Sequence, residues 1–347
     1  MIRFAARQFR TQAVVAAVAL AAVGVAVLAT GPHLFDLYNR TVAGCTGQTC
    51  DAATTVLGRQ DRLLQQVLGI VLLIVPALIG IFWGAPLAAR ELESGTFRLA
   101  WTQSVTRTRW MVVKFALVVL AAIVAAGLLT LMGTWWFTTL DRVSSNRFDP
   151  NLFTQRGLVP AGYAAFAVAL GTAVGLVVRR TVAAMAVTLV VFIGCLVVTT
   201  TWVRPHLMPP VHARESVAAA GGFGFAPDAS GTGLSFIVEP PPIHNAWVLS
   251  SSVVDDAGHP MTAQFLKTAC PQLPPPTGPV GGVHRAPADK DVFLQCVAKI
   301  GAVYHIESTY QPAGRYWIFQ SMETGIYVIL ALALGAFSLW WVRRRIV

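Results

Sequence analysis

Ionisable side chains are scarce in this 347-residue chain: Asp, Glu, Lys and Arg make up 12% of it, against 55% hydrophobic residues. A soluble globular domain carries about twice that share of charge, so the composition excludes one. The scarcity is also local. Residues 13–30, 64–89, 115–134, 158–178, 181–203 and 324–342 contain no Asp, Glu, Lys, Arg or His at all. Each run is long enough to cross a ~30 Å hydrocarbon core as a helix, which takes about 20 residues. Backbone groups in lipid must be satisfied within the segment, so the runs are read as helices. The expected fold class is an all-α membrane protein with six transmembrane helices. The first run reads as a retained span rather than a cleaved leader, because it exceeds an h-region of about 7–15 residues.

Other absences remove whole classes of chemistry. Only four lysines are present and they follow Val113, Leu266, Asp289 and Ala298, never glycine. A phosphate-cradling P-loop needs Gly-Lys-Ser/Thr, so the chain is not expected to hydrolyse nucleotide. It has no His-Glu-x-x-His pair and no Gly-x-Ser-x-Gly elbow, and its seven histidines are scattered without ligand spacing. No catalytic, cofactor-binding or metal-ligating residue is therefore assigned. With no ionisable residue in the six runs, and Glu323 read as lying just outside the last, a proton relay is disfavoured.

What charge there is has a direction. With the N-terminus inside, the cytoplasmic segments hold thirteen basic residues against Glu91 and Glu93, while the outer segments hold thirteen basic and fourteen acidic ones. The positive-inside rule thus places both termini in the cytoplasm. The excess faces anionic lipid, which accounts for the formal charge of +10 without nucleic acid. Cysteine usage agrees. Cys195 lies within the fifth run, whereas Cys45, Cys50, Cys270 and Cys296 all fall in segments assigned outside, where an even number points to two disulfides. Local pairing, Cys45 with Cys50 and Cys270 with Cys296, is preferred among three connectivities. Arg outnumbers Lys 22 to 4; with Ala- and Val-rich spans, this fits a GC-rich bacterial genome and hence a bacterial plasma membrane.

Organisation follows from these runs. Residues 1–203 form a membrane domain of five spans, 204–315 an extracytoplasmic region, and 316–347 the sixth span with a basic tail. Before the first span, Ile2, Ala6 and Phe9 recur at helical spacing, as in a short interfacial helix or simply a basic topology signal. Pro76, Gly80 and Pro86 mark the second span as a place for a kink. Arg179 and Arg180 leave only a tight turn between the fourth and fifth spans. Trp135 and Trp136 sit where an aromatic belt would place them. Residues 204–315 hold 15 of the 20 prolines, so long helices or strands are not expected there. The exception is about 291–306, where Phe293, Val297, Ile300 and Tyr304 repeat at helical spacing.

The most informative stretch is the loop of about residues 87–114. A helix leaving the second span can run to Glu93 and stop at Gly95 in a left-handed C′ position. Thr96 can cap a second short helix with Phe97 and Trp101 on one face. Ser104 or Thr106 can cap the third span. Large apolar residues on such a helix suit either a groove on a soluble partner or the lipid interface.

The pattern Glu91-x-Glu93-x-Gly95-Thr96, then Ser104-Val105-Thr106-Arg107 before a span, resembles the inner loop of type-2 ABC transporter permeases. Six spans, cytoplasmic termini and a basic amphipathic start resemble that family too, especially its members in GC-rich Gram-positive bacteria. The long proline-rich outer region departs from the family's usual short outer segments. The resemblance implies that Glu91, Glu93, Gly95, Thr96 and Arg107 by motif, and Phe97 and Trp101 by position, form a coupling element. On it would dock a soluble nucleotide-binding ATPase subunit, which holds the ATP. It further implies an exporter of an apolar or amphipathic compound, not itself an enzyme, working with a second permease copy or paralogue in the lipid bilayer. The alternative is a non-transporting receptor or sensor whose region 204–315 binds a ligand or cell-envelope component.

Overall fold

The computed structural model describes residues 2–42, 62–95, 106–141, 148–219, 222–227, 234–239, 246–271 and 290–345. Six helices are long and apolar enough to cross a membrane: Phe9–Thr41, Arg62–Ser94, Thr108–Asp141, Val159–Val178, Thr181–His206 and Ala313–Arg344. They are the six spans. The chain divides into two compact units, one holding all six spans and the other holding residues 145–148 and 208–315.

In the span unit, helices outrun the hydrophobic runs that announce them. The first helix is continuous over Ile2–Thr41, so no separate interfacial helix precedes the span. Its far end is held by packing: Val27 and Leu34 are buried with Leu68, Leu72 and Trp136, and the Trp136 indole donates to Thr30 Oγ1 at 2.8 Å. Trp136 is thus an internal packing residue and not a belt residue; Trp135 beside it is exposed.

The second span contains a π-helical turn, Gly80–Gly84, that ends two residues before Pro86. Proline removes one backbone donor and crowds the preceding turn, and π turns relieve such faults. A carbonyl of this turn, Phe82 O, accepts from Gln12 Nε2 at 2.9 Å. The turn also sets a close helix crossing. A Cβ on Gly84 would lie 2.8 Å from Val168 O, and one on Gly171 would lie 2.5 Å from Gly80 O. Gly80-x-x-x-Gly84 therefore meets Gly171-x-x-x-Gly175 with no room for side chains, the small-residue contact that bilayers favour.

Helix ends in this unit are satisfied from neighbouring elements. Gln320 of the sixth span accepts from the N–H groups of Leu158 and Val159 (3.0 and 3.2 Å), capping the fourth span. The fourth span ends at Arg179, whose φ of 59° makes the two-residue turn into Thr181.

One expectation is corrected here. Arg204 and Glu323 were read as lying beyond the hydrophobic runs, yet both are fully buried within the span unit. Arg204 Nε and Nη2 donate to the two Glu323 oxygens at 2.8 and 2.9 Å, Tyr163 OH donates to the same carboxylate, and the guanidinium lies 4.3 Å from the Phe153 ring centroid. The sixth helix begins at Tyr316, about two turns before Glu323. The charge-free run therefore understated the span. A bidentate, fully hydrogen-bonded pair offsets the cost of burying two charges, which an isolated one would not.

The second unit is not all-α. A three-stranded antiparallel sheet has the order β1 (Val211–Ser216), β5 (Tyr304–Gln311), β4 (Trp247–Asp255), and β2 (Gly222–Pro227) pairs with β3 (Leu234–Glu239). The register sets Val211 opposite Tyr310 and Trp247 opposite Gln311. Long uninterrupted strands were not expected amid so many prolines, and those present are six to nine residues long. The prolines punctuate them instead: β1, β3, β4 and β5 contain none. The helix anticipated over 291–306 is shorter, Lys290–Gly301, because Tyr304 and Ile306 belong to β5. Val217, Val253, Leu266, Val297, Ile300 and Ile306 form its core. The Cys270–Cys296 disulfide, with Cα atoms 5.3 Å apart, is part of that core.

Candidate coupling loop and its anchors

The loop grows out of the second span without a break. After the π turn, residues 85–94 continue as α-helix, and Gly95 closes it at φ 70°. A positive φ is costly for residues with a Cβ, and glycine removes that cost. The emerging helix is packed along its length. Ala88 is buried with Trp110, Met111, Leu176 and Val342, and Ala85 and Ala89 with Ala184. Elements from the third, fourth, fifth and sixth spans thus surround this stub, and its alanines let them approach.

Both acidic residues of the motif turn back onto the spans. Glu91 forms an ion pair with Lys114 of the third span, the two side chains 15% and 8% exposed. Lys114 also lies 4.8 Å from the Trp110 ring centroid, a cation–π contact. Glu93 Oε2 accepts from Thr181 N at 2.9 Å and Thr181 Oγ1 at 2.7 Å. Thr181 opens the fifth span, whose preceding residue Arg180 supplies no side-chain cap. Glu93 therefore caps the fifth span from the second, where a negative charge also favours the helix dipole. Neighbouring bonds close the same end: Arg343 Nε donates to Thr108 Oγ1 at 3.1 Å, and Thr106 caps the third helix through its hydroxyl and Arg109 N at 3.4 Å.

The structure brings Glu91, Glu93 and Gly95 together on one helix end. Thr96, Phe97 and Trp101 lie outside the described residues, as do Cys45 and Cys50. Arg107 starts the third helix, with its side chain outside the description. Sequence reasoning missed the partners Lys114 and Thr181. Thr181 opens the fifth helix and Lys114 lies about two turns into the third, and neither position by itself names its partner.

A family model described as ABC-2 membrane transporter related matches residues 17–204, more than half of the chain. The chain belongs to that family. The ABC-2 match covers the first five spans and the loop, so the likeness to type-2 ABC permeases stands on more than the short motif. It makes the chain a multi-pass membrane protein and the permease subunit of an ABC transporter, a transport subunit with an ATPase partner. No curated protein and no solved structure matches the chain.

Proposed function

We propose that this ABC-2 permease exports an apolar or amphipathic compound across a bacterial plasma membrane. Two copies, or this chain and a paralogue, form the pathway. A separate ATPase docks on residues 91–107 at the cytoplasmic face, and residues 208–315 lie on the opposite side. The observation that carries this reading is the pair of anchors: Glu91 to Lys114 and Glu93 to Thr181. An element tied at once to the third and fifth spans can pass a push on the loop to both as a rigid body. Within this scheme the two acidic residues brace the loop, and Phe97 and Trp101 meet the ATPase.

Two experiments test the scheme. The purified chain alone neither binds nor hydrolyses ATP, and it acquires ATPase activity only when co-expressed with a soluble ATPase subunit. Nucleotide affinity of the isolated chain contradicts this. On intact cells, a membrane-impermeant thiol reagent labels Cys270 and Cys296 only after reduction, since they are bonded to each other. Labelling that requires cell lysis reverses the topology.

A further inference from the structure

Two cavities adjoin along the first three spans, and their chemistry differs. One, about 550 Å³, is walled by Arg90, Glu91, Ser94 and Lys114 together with Phe9 and Pro86. The other, about 420 Å³, is walled almost wholly by apolar residues, among them Ala16, Ala19, Val23, Val71 and Val75. Gln12 and Trp83 line both. The small residues of the first span create the apolar groove. Ala16 and Ala19 face Val71 and Val75 where larger side chains would have closed the gap.

The apolar groove follows the first span from Thr11 to Val23, which at 1.5 Å per residue is ~18 Å. That is close to one leaflet of a ~30 Å hydrocarbon core. The groove is long enough and apolar enough to hold an extended hydrocarbon chain. Its polar end carries the matching charge. Arg90 is exposed, and its guanidinium has no ion-pair partner among the described residues. Glu91 is matched by Lys114, which leaves one positive charge among the described residues that line that mouth. Arg10, also exposed, lies on the same end of the first span. Trp83, held edge-on to Phe9 with centroids 4.9 Å apart, sits between the polar and apolar cavities, where an indole favours the headgroup boundary.

We propose that this groove is a binding site for an anionic phospholipid of the inner leaflet, with its phosphate at Arg90 and one acyl chain between the first, second and third spans. The leaflet rests on the orientation proposed above; the binding itself does not. An arginine offers a phosphate two parallel donors, stronger than neutral hydrogen bonds. A site at the root of the loop would place a bilayer component against the helix stub that the ATPase is proposed to move.

Native mass spectrometry of the detergent-purified chain, titrated with dioleoyl-phosphatidylglycerol or dioleoyl-phosphatidylcholine, tests this. The expected result is one phosphatidylglycerol retained per chain, with affinity about tenfold above phosphatidylcholine. Arg90→Gln abolishes the headgroup preference, and Ala19→Trp, which fills the groove, lowers retention of both lipids. Val190→Trp, on an exposed face of the fifth span, leaves retention unchanged, and unaltered melting temperatures show that the variants fold. Equal retention of both lipids, or an Arg90→Gln variant identical to wild type, overturns the proposal. A lipid-free dimer that Ala19→Trp separates into monomers also overturns it, in favour of a second copy in the groove. None of these readouts needs an ATPase, so their failure is distinct from failure of the permease mechanism.

Discussion

The fourth and first spans are both apolar helices, yet 78% of the fourth span's most apolar window is buried against 6% for the first. Greater hydrophobicity does not explain the burial, since the buried span has the lower mean hydropathy, 1.9 against 2.6, and lipid tails and a helix interior are equally apolar solvents for a leucine. Size does. The fourth span sets Gly162, Gly171 and Gly175 among many alanines, and its neighbours approach until a Cβ on Gly171 would strike backbone atoms 2.5 and 2.6 Å away. The first span presents Val14, Val15, Val18, Val25 and Leu28 outward. In a bilayer the hub is written in what its side chains leave out.

Breaking that contrast should have graded effects. The largest is expected for Gly171→Leu, which forces the second and fourth spans apart against backbone that cannot yield. Overpacking of this kind costs about 3 kcal/mol or more, read as loss of the monodisperse peak and a lower melting temperature in detergent. Lys114→Ala comes next, since it removes a part-buried ion pair with Glu91. Losing a hydrogen bond to a charged group costs about 1.5–3 kcal/mol, read as a lower melting temperature in a thermal-shift assay. Glu93→Ala removes one helix cap; hydrogen exchange should rise at the first turn after Thr181 while the fourth span stays protected. Val18→Ala, on the lipid-facing surface of the first span, and Gly194→Ala, where a Cβ would meet nothing within 4 Å, should change melting within about 0.5 kcal/mol. A Gly194→Ala loss equal to that of Gly171→Leu would end the distinction between hub and periphery.

Much of this was legible in the sequence, for reasons that differ by element. Six charge-free runs gave six spans because lipid leaves helices no other way to satisfy their backbone. Gly95 was legible because a helix stop in the left-handed region has few other solutions. Arg204 and Glu323 were not, because each terminates a hydrophobic run when viewed alone and only their pairing makes burial tolerable. Lys114 and Thr181 likewise gain meaning from residues 23 and 88 positions away, a separation that local pattern cannot bridge. The strands of residues 208–315 were hidden by prolines that fall mostly between them. The roles of Phe97 and Trp101 still rest on the resemblance and on their spacing.

The measurement that bears most directly on coupling is capture of the ATPase subunit by the double variant Phe97→Ala/Trp101→Ala. Buried aromatic anchors typically contribute ~2 kcal/mol or more each, and ~2 kcal/mol is about thirtyfold in affinity. The account predicts that the double variant inserts and melts like wild type but no longer co-purifies with the ATPase or transports. Trp135→Ala, exposed at the other end of the third span, should retain both. If the double variant binds its ATPase at the wild-type level, Phe97 and Trp101 are not the docking anchors and the coupling assignment fails.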